Sequence, residues 1–255
     1  MARPMRYCAL LPPSYDAQPK RTYPVLYFLH GIFENEQTFI DAGAWNLVEH
    51  LRERGTIGEF IIVTPDGGST FFINSRDGRR PWESFFTTEF IPQIEKRYRI
   101  AAARASRAVG GVSMGGYGAL HLAFAHRQLF AAVAVHSPAI MKTLPPGLMS
   151  GGLASSRLAA LTDTFGRPLD AAYWQTKNPL TLAAHAPLAG MKIYFDCGRE
   201  DDYGFDSGAV ALDKTLTARR IRHEFHLYPG GHGWVFVAQH LPASLEFVWK
   251  AFEKK

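Results

Sequence analysis

Cysteine is scarce in this sequence, and the two that occur form no motif. Cys8 and Cys197 are too few among 255 residues for a disulfide scaffold, and neither belongs to a C-x-x-C pair of the kind that binds zinc or carries redox chemistry. They can pair with each other only if the fold brings them together. Disulfide-stapled small folds are therefore excluded, and the cysteines leave the cellular compartment open.

Long apolar runs are also lacking. No stretch approaches the ~20 residues of a membrane-spanning helix, and residues 1–11 hold no apolar run long enough for a signal peptide. We therefore expect no membrane span. The sequence does not distinguish a cytoplasmic protein from a secreted one, because a chain whose signal peptide has been removed would look the same.

Charge is spread along the chain rather than concentrated. The net charge is +5, and the densest basic group is Arg76, Arg79 and Arg80 in a glycine-containing loop. No long Lys/Arg run alternates with aromatic residues, so we expect a solvated basic surface and no nucleic-acid partner. No group of His, Asp and Glu has convincing ligand spacing, so neither a metal nor another cofactor is expected. The sequence leaves the oligomeric state open.

The sequence does contain a regular alternation of short apolar runs and longer amphipathic stretches. The runs are nearly all apolar and often β-branched, as in strands buried on both faces. They cover residues 25–29, 60–63, 108–112, 131–135 and 193–195, with a more mixed edge run at 223–228. Helices are predicted at 82–98, from 114, at 208–219 and at 234–252. Pro92 is expected to kink the first of them, and Pro242 to break or kink the last. This alternation predicts a single α/β domain over residues 1–255 with a mostly parallel, doubly wound sheet.

Residues 138–188 interrupt the alternation. They are rich in proline and glycine, which indicates an insertion after a core strand rather than a second domain. Insertions of this kind cover the carboxyl ends of the strands, where ligands bind in open α/β sheets. We therefore predict a small cap at 138–188.

One motif carries a specific chemistry. The run Gly111-Val112-Ser113-Met114-Gly115 matches the nucleophile elbow G-x-S-x-G, follows an apolar strand and opens a helix. The serine must sit on a strained turn that exposes its hydroxyl, and only small residues two positions away leave room for that turn. Ser113 is the predicted nucleophile. A glycine-rich packing turn is the alternative.

A serine hydroxyl needs a base and an acid that orients the base. His232 is predicted as the base, because it lies in a glycine-rich loop after the last strand and before the final helix. The acid is expected between serine and histidine in chain order. Asp201 is preferred because it stands three residues past Gly198, with Asp202 and then Glu200 as rivals.

The oxyanion requires two backbone N–H donors. Met114, the residue after the nucleophile, supplies one, and Ile32 in the loop after the first apolar run is predicted to supply the other. His30 is predicted to be a positioning residue. Phe71, Trp174 and Trp234 lie on connecting segments and are predicted to line the substrate site; the alternative is that such residues form the small core of the cap itself.

With these residues placed, the sequence resembles the esterase branch of the α/β hydrolases that contains esterase D (S-formylglutathione hydrolase), feruloyl and acetyl-xylan-type esterases and the mycolyltransferases. The resemblance is carried by LPPSY at 11–15, YFLHG at 27–31, TPDGG at 64–68, GVSMGGYGAL at 111–120 and GGHGW at 230–234. In that branch the acid falls in a G-x-x-D sequence, which maps onto Gly198 to Asp201. Formylglutathione hydrolases usually carry a cysteine soon after the oxyanion-loop glycine, and residues 32–35 have none.

These observations predict a serine carboxylesterase that acts on short-chain or aromatic, feruloyl-type esters through an acyl-enzyme. The partner is then a small-molecule ester. The alternatives are an S-formylglutathione hydrolase or acyltransferase of the same branch, and a non-catalytic binding protein with the same fold. Intact serine, histidine and aspartate positions argue against the last.

Overall fold

A seven-stranded sheet forms the centre of the structure, a computed structural model that describes residues 5–144 and 156–253. Its strands are β1 (Tyr7–Leu10), β2 (Val25–Leu29), β3 (Ile61–Pro65), β4 (Arg107–Val112), β5 (Ala132–His136), β6 (Lys192–Gly198) and β7 (Glu224–Tyr228). Their spatial order is β1-β3-β2-β4-β5-β6-β7, and every neighbouring pair is parallel except β1 with β3. The six predicted runs correspond to β2–β7, so the predicted α/β fold is confirmed.

Helices cover both faces of the sheet. They are α1 (Thr38–Asp41), α2 (Ala44–Glu53), α3 (Trp82–Phe85), α4 (Ile91–Arg97), α5 (Met114–Ala125), α6 (Ser156–Phe165), α7 (Ala171–Lys177), α8 (Pro179–His185), α9 (Asp206–Ala218) and α10 (Trp234–Glu253). One buried cluster joins the sheet to α3–α5 and α6–α9, and the other joins it to α1, α2 and α10. The strands β2, β3 and β5 are buried along their whole length because both of their faces are covered.

The helices around the two predicted proline positions differ from each other. Pro92 stands in the first turn of α4, directly after a π-helical turn at Phe86–Phe90 that separates α3 from α4. The chain stays helical through this stretch, and the π-helical turn is the departure from regular α-helix that accompanies the proline. Pro242 lies inside α10, and the 20-residue helix continues through it without the predicted break.

The segment between β5 and β6 contains α6, α7 and α8. The predicted insertion at 138–188 falls in this segment, and its residues 145–155 lie outside the described part of the chain. α8 packs against α5 and α9, beside the core.

Ion pairs join this segment to the loop that follows β3. Arg76 Nε lies 2.6 Å from Asp170 Oδ2, and Arg80 Nη2 lies 3.2 Å from Asp163 Oδ2. The Tyr173 hydroxyl donates to the carbonyl oxygen of Asn74 at 2.6 Å. The basic group predicted as a solvated surface therefore also links two segments, although these half-exposed pairs contribute little free energy.

Two further features bear on the sequence predictions. Cys8 and Cys197 are both free thiols. Across residues 5–144 and 156–253, no helix combines the length and the apolar character needed to cross a membrane.

Candidate functional site

Ser113 occupies a strained turn at the carboxyl end of β4. It is the single residue between β4 and α5, and its φ of 55° and ψ of −116° lie outside the regions that non-glycine residues normally adopt. Its N–H donates to the His136 carbonyl oxygen at 3.0 Å, and its carbonyl oxygen accepts from Ala139 N–H at 2.9 Å. These bonds hold a conformation that costs about 1–3 kcal/mol and recurs at functional sites.

The glycines of the motif are required by close backbone packing. A Cβ on Gly115 would lie 2.1 Å from the Leu29 carbonyl oxygen, and a Cβ on Gly111 would lie 2.6 Å from that same atom. No side chain fits at such distances. The spacing G-x-S-x-G therefore follows from how closely the end of β2 passes the turn that carries Ser113.

His232 and Asp201 form a direct contact. His232 Nδ1 lies 2.7 Å from Asp201 Oδ2, and the Asp201 side chain is fully buried. A carboxylate only accepts hydrogen bonds, so Nδ1 carries the proton and Nε2 is the basic nitrogen of the ring. Tyr203 and Phe205 pack edge-on against the imidazole, with ring centroids at 4.8 and 5.6 Å. The ring is thus held by one hydrogen bond and two aromatic contacts.

The surroundings of Asp201 favour its charged form. Burial raises the pKa of this carboxyl, but hydrogen bonds from His232 and from the backbone N–H groups of Tyr203 and Phe205 outweigh burial, so the pKa is lowered. Since the folded pKa lies below that of the unfolded chain, the resulting stability is present above the unfolded value and is lost as pH falls through the folded one. Asp201 is therefore ionised at neutral pH.

The two rival acids bind the backbone of the loop that carries His232 (residues 229–233, the histidine loop) instead of the imidazole. Asp202 Oδ2 accepts from His232 N–H at 3.1 Å, and Glu200 Oε2 accepts from Gly230 N–H at 2.6 Å. Both side chains lie at exposed positions. The geometry thus separates three consecutive acids, because only Asp201 is turned inward to the ring.

Ser113 and His232 line one cavity of about 280 Å³. Its walls are mainly apolar and come from the loops after β2, β3, β5 and β6 and from α6. The lining residues outside the serine elbow and the histidine loop are Gly31, Ile32, Phe33, Glu34, Phe71, Ala139, Met141, Leu161, Tyr203, Phe205 and Trp234. Two of them, Phe33 and Tyr203, keep much of their side chains exposed, so they stand at the mouth.

The predicted oxyanion donors, Ile32 and Met114, line the same cavity as Ser113. Within the described part of the chain, neither backbone N–H donates a hydrogen bond to another protein group. Two unpaired N–H groups at one cavity are available to a substrate oxygen.

The three predicted substrate residues separate into two groups. Phe71 and Trp234 line the cavity, whereas Trp174 is absent from the described lining. Trp174 is 3% exposed and belongs to the large buried cluster that also contains residues of the sheet. The described lining gives the substrate-lining prediction for Trp174 no support, and it stays a prediction.

Several lining residues were not predicted from the sequence. Leu161 lies on α6 and Met141 on the chain after β5, so their approach to Ser113 depends on how the insertion folds back. Tyr203 and Phe205 stand two and four positions after Asp201, and this closeness to the predicted acid could have indicated that they lie at the site. Glu34 lies in the predicted oxyanion loop.

A second serine, histidine and aspartate are in contact beneath the site. His136 Nδ1 lies 2.9 Å from Asp196 Oδ2, and His136 Nε2 lies 2.8 Å from Ser244 Oγ. Ser244 is 3% exposed, and the other two are completely buried, so no substrate reaches them. Because the His136 carbonyl oxygen accepts from Ser113 N–H, this buried network instead supports the strand end beside the elbow.

The fold and the site define a class, the α/β hydrolases with a candidate serine nucleophile. The chain belongs to the family described as "Putative esterase", which matches residues 1–248. The resemblance stated from the sequence motifs is thereby confirmed at the level of the family.

Individual relatives agree with this assignment. Esterase Rv1288 of Mycobacterium tuberculosis is 34% identical over 244 residues, covering 88% of this chain and 51% of that protein, so the chain spans about half the length of this relative. S-formylglutathione hydrolase of Bos taurus is 24% identical over 262 residues, covering 92% of this chain and 84% of that protein. A solved structure of a ferulic acid esterase has a TM-score of 0.81 at 27% identity, covering 97% of this chain and 92% of that chain.

The contacts of the two aspartates generate a prediction. The Asp201 carboxylate accepts from the imidazole with one oxygen and from the Tyr203 and Phe205 N–H groups with the other. Asp201→Asn leaves only one acceptor oxygen, so either the imidazole or these N–H groups lose their partner. We expect kcat to fall by about 10⁴-fold, the order of loss known for the orienting aspartate of another serine triad. Asp202→Asn keeps an acceptor for His232 N–H and is expected to stay within about tenfold of the parent. Steady-state hydrolysis of p-nitrophenyl acetate compares the two, and a larger loss at position 202 would reverse the assignment.

Proposed function

We propose that the protein is a serine carboxylesterase that hydrolyses short-chain or aromatic carboxylic esters through an acyl-enzyme. Ser113 is the nucleophile, His232 the general base and Asp201 the acid that orients it. The observation that carries this proposal is the shared cavity. In it the strained Ser113 lies together with a histidine whose other ring nitrogen is 2.7 Å from a buried carboxylate.

Each step has a group at the cavity. His232 Nε2 takes the proton from Ser113 Oγ as that oxygen attacks the ester carbonyl carbon. The carbonyl oxygen becomes an oxyanion that accepts from the N–H groups of Ile32 and Met114. The imidazolium then gives its proton to the leaving alcohol, and the acyl group stays on Ser113. A water molecule, activated by the same imidazole, releases the acid and restores the serine.

The cavity supports a small or flat acyl group. A volume of about 280 Å³ lies just below the range usual for ligand pockets. The buried side chains of Phe71 and Leu161 form part of its lining, which we call the deep wall. Phe71 is itself wedged against Tyr117 and Phe165, with ring centroids at 5.4 Å from each. A wall supported in this way leaves little room for a long acyl chain.

The charge of the lining supports an ester without anionic groups. Among the described lining residues there is no lysine or arginine, and Glu34 is an acid. The carboxylates of a glutathione thioester would therefore find no cationic partner in this cavity. Together with the missing cysteine in residues 32–35, this favours a carboxylesterase over an S-formylglutathione hydrolase.

Removal of the nucleophile tests the reaction. Ser113→Ala deletes the attacking oxygen and leaves the fold in place, so we expect kcat for p-nitrophenyl acetate to fall by about 10⁴ to 10⁶-fold. Circular dichroism of the variant serves as the control for folding. Hydrolysis at the parent's rate by Ser113→Ala would mean that another group is the nucleophile.

The deep wall generates a prediction about acyl length. Leu161→Ala enlarges the cavity, so the ratio of kcat/KM for p-nitrophenyl hexanoate over acetate is expected to rise about tenfold. Leu158→Ala removes the same atoms one turn earlier on α6, from a buried residue outside the described lining, and should leave that ratio unchanged. A parent that prefers acyl chains of about twelve carbons, or equal shifts in both variants, would contradict this account of the wall.

A further inference from the structure

The peptide bond that carries the Ile32 N–H is fixed by its carbonyl end. The Gly31 carbonyl oxygen accepts from His30 Nδ1 at 2.7 Å and from Glu34 N–H at 3.3 Å. His30 Nε2 in turn accepts from Gly67 N–H at 3.0 Å, which fixes the protonated nitrogen of the ring as Nδ1. A trans peptide is planar, so holding the Gly31 carbonyl also aims the Ile32 N–H in the opposite direction.

The Glu34 carboxylate binds two N–H donors from different parts of the chain. Its Oε2 accepts from Gly31 N–H at 2.7 Å, and its Oε1 accepts from the Trp234 indole N–H at 2.8 Å. The carboxylate lies so close that a Cβ on Gly31 would stand 3.0 Å from Oε2. The side chain therefore folds back over its own loop and reaches across to a second one.

The second loop is the one that carries His232. Trp234 is the first residue of α10 and stands two positions after the histidine. Its ring lies among Phe28 and Phe39, with both centroids at 6.3 Å, so the indole is a firm anchor. One carboxylate thus joins the loop of the candidate oxyanion donor to the loop of the candidate base, which are 200 residues apart in the sequence.

We propose that Glu34 is a positioning residue. It sets the separation between the loop that carries Ile32 (residues 30–34, the oxyanion loop) and the histidine loop. The inference rests on the proposed function, because it assigns Glu34 an effect on the ester hydrolysis performed by Ser113. Glu34 acts through Gly31 and Trp234 on the aim of the Ile32 N–H, and so on the transition state rather than on the bound substrate.

A carboxylate suits this position for a specific reason. Both partners are donors, and a carboxylate offers an acceptor oxygen to each. Glutamine has nearly the same shape but offers one oxygen and one NH₂ group, so one N–H would face another donor. The loss on changing Glu34 to Gln therefore measures the bridge rather than the space that the side chain fills.

Variants at both ends of the bridge test the proposal. Glu34→Gln is expected to lower kcat for p-nitrophenyl acetate by about 10- to 100-fold, with KM within about twofold, because a misaimed donor weakens only the transition state. Trp234→Phe removes the indole N–H and is expected to lower kcat by about 3- to 10-fold. In the double variant Glu34→Gln/Trp234→Phe, the indole N–H that would face the glutamine NH₂ group is gone. The kcat of the double variant should therefore exceed that of Glu34→Gln alone.

A tetrahedral analogue and matched controls separate positioning from general damage. Inhibition by an aryl trifluoromethyl ketone should weaken in proportion to the loss of kcat/KM, while the thermal unfolding midpoint stays near the parent's. Glu246→Gln and Trp249→Phe change the same residue types on α10 outside the cavity lining and should keep the parent's kcat.

Each other outcome contradicts the bridge. A parent-like kcat in Glu34→Gln, a rise in KM with unchanged kcat, or additive losses in the double variant would overturn it. If Glu34→Gln does not fold, Trp234→Phe alone decides, and an unchanged kcat there overturns the proposal. In all these cases Ser113-dependent hydrolysis by the parent would leave the proposed function standing.

Discussion

The end of β2 passes so close to the turn around Ser113 that the backbone itself fills the space. The Leu29 carbonyl oxygen lies only 2.1 and 2.6 Å from the positions that a Cβ on Gly115 and on Gly111 would take, so the two segments meet without intervening side chains. Protein interiors are close-packed, so an atom added at this contact would force the two backbone segments apart. Because β2 leads directly into residues 30–34, the contact places Ile32 at the same cavity as Met114, the residue that follows the serine. The candidate oxyanion site thus depends on the close contact between the carboxyl ends of the parallel neighbours β2 and β4.

Polar networks secure the segments around this contact. His136, Asp196 and Ser244 occupy completely or nearly completely buried positions beneath the elbow, and the His136 carbonyl oxygen accepts from Ser113 N–H. Such a network rigidifies a core only when each member has its partner. It also shows why contact between serine, histidine and acid does not by itself make an active site. The pair His232–Asp201 differs from the buried set in opening on a cavity.

The sequence predicts most of the fold because buried parallel strands have a clear pattern. The runs that became β2–β6 are apolar on both faces. The elbow is recognisable because Gly111 and Gly115 cannot be replaced by a residue with a side chain without a clash. β1 escaped prediction because it is a four-residue edge strand whose residues are mostly half-buried, so it has little apolar pattern. Pro242 lies within a continuous helix because tertiary packing of α10 outweighs the local cost of a proline.

The site is less predictable where it depends on tertiary placement. Asp201 and Asp202 are adjacent in the sequence, and only the path of the backbone decides which carboxylate faces His232. Trp174 and Trp234 both lie on segments that connect core strands or follow them, yet Trp174 is buried in the main core cluster and Trp234 lines the cavity. The contact of Glu34 with Trp234 spans nearly the whole chain, so no local pattern reveals it.

The central claim is that Ser113 becomes acylated during turnover. The most direct measurement is peptide mass spectrometry of the enzyme quenched in acid while it hydrolyses p-nitrophenyl trimethylacetate, an ester whose bulky acyl group leaves the enzyme slowly. Cleavage after Arg107 and Arg127 releases a peptide in which Ser113 is the single serine. The account predicts the acyl mass on Ser113 in this peptide, together with a burst of p-nitrophenol that equals the enzyme concentration. An acyl group on another residue, or turnover with no acylated species, would contradict it.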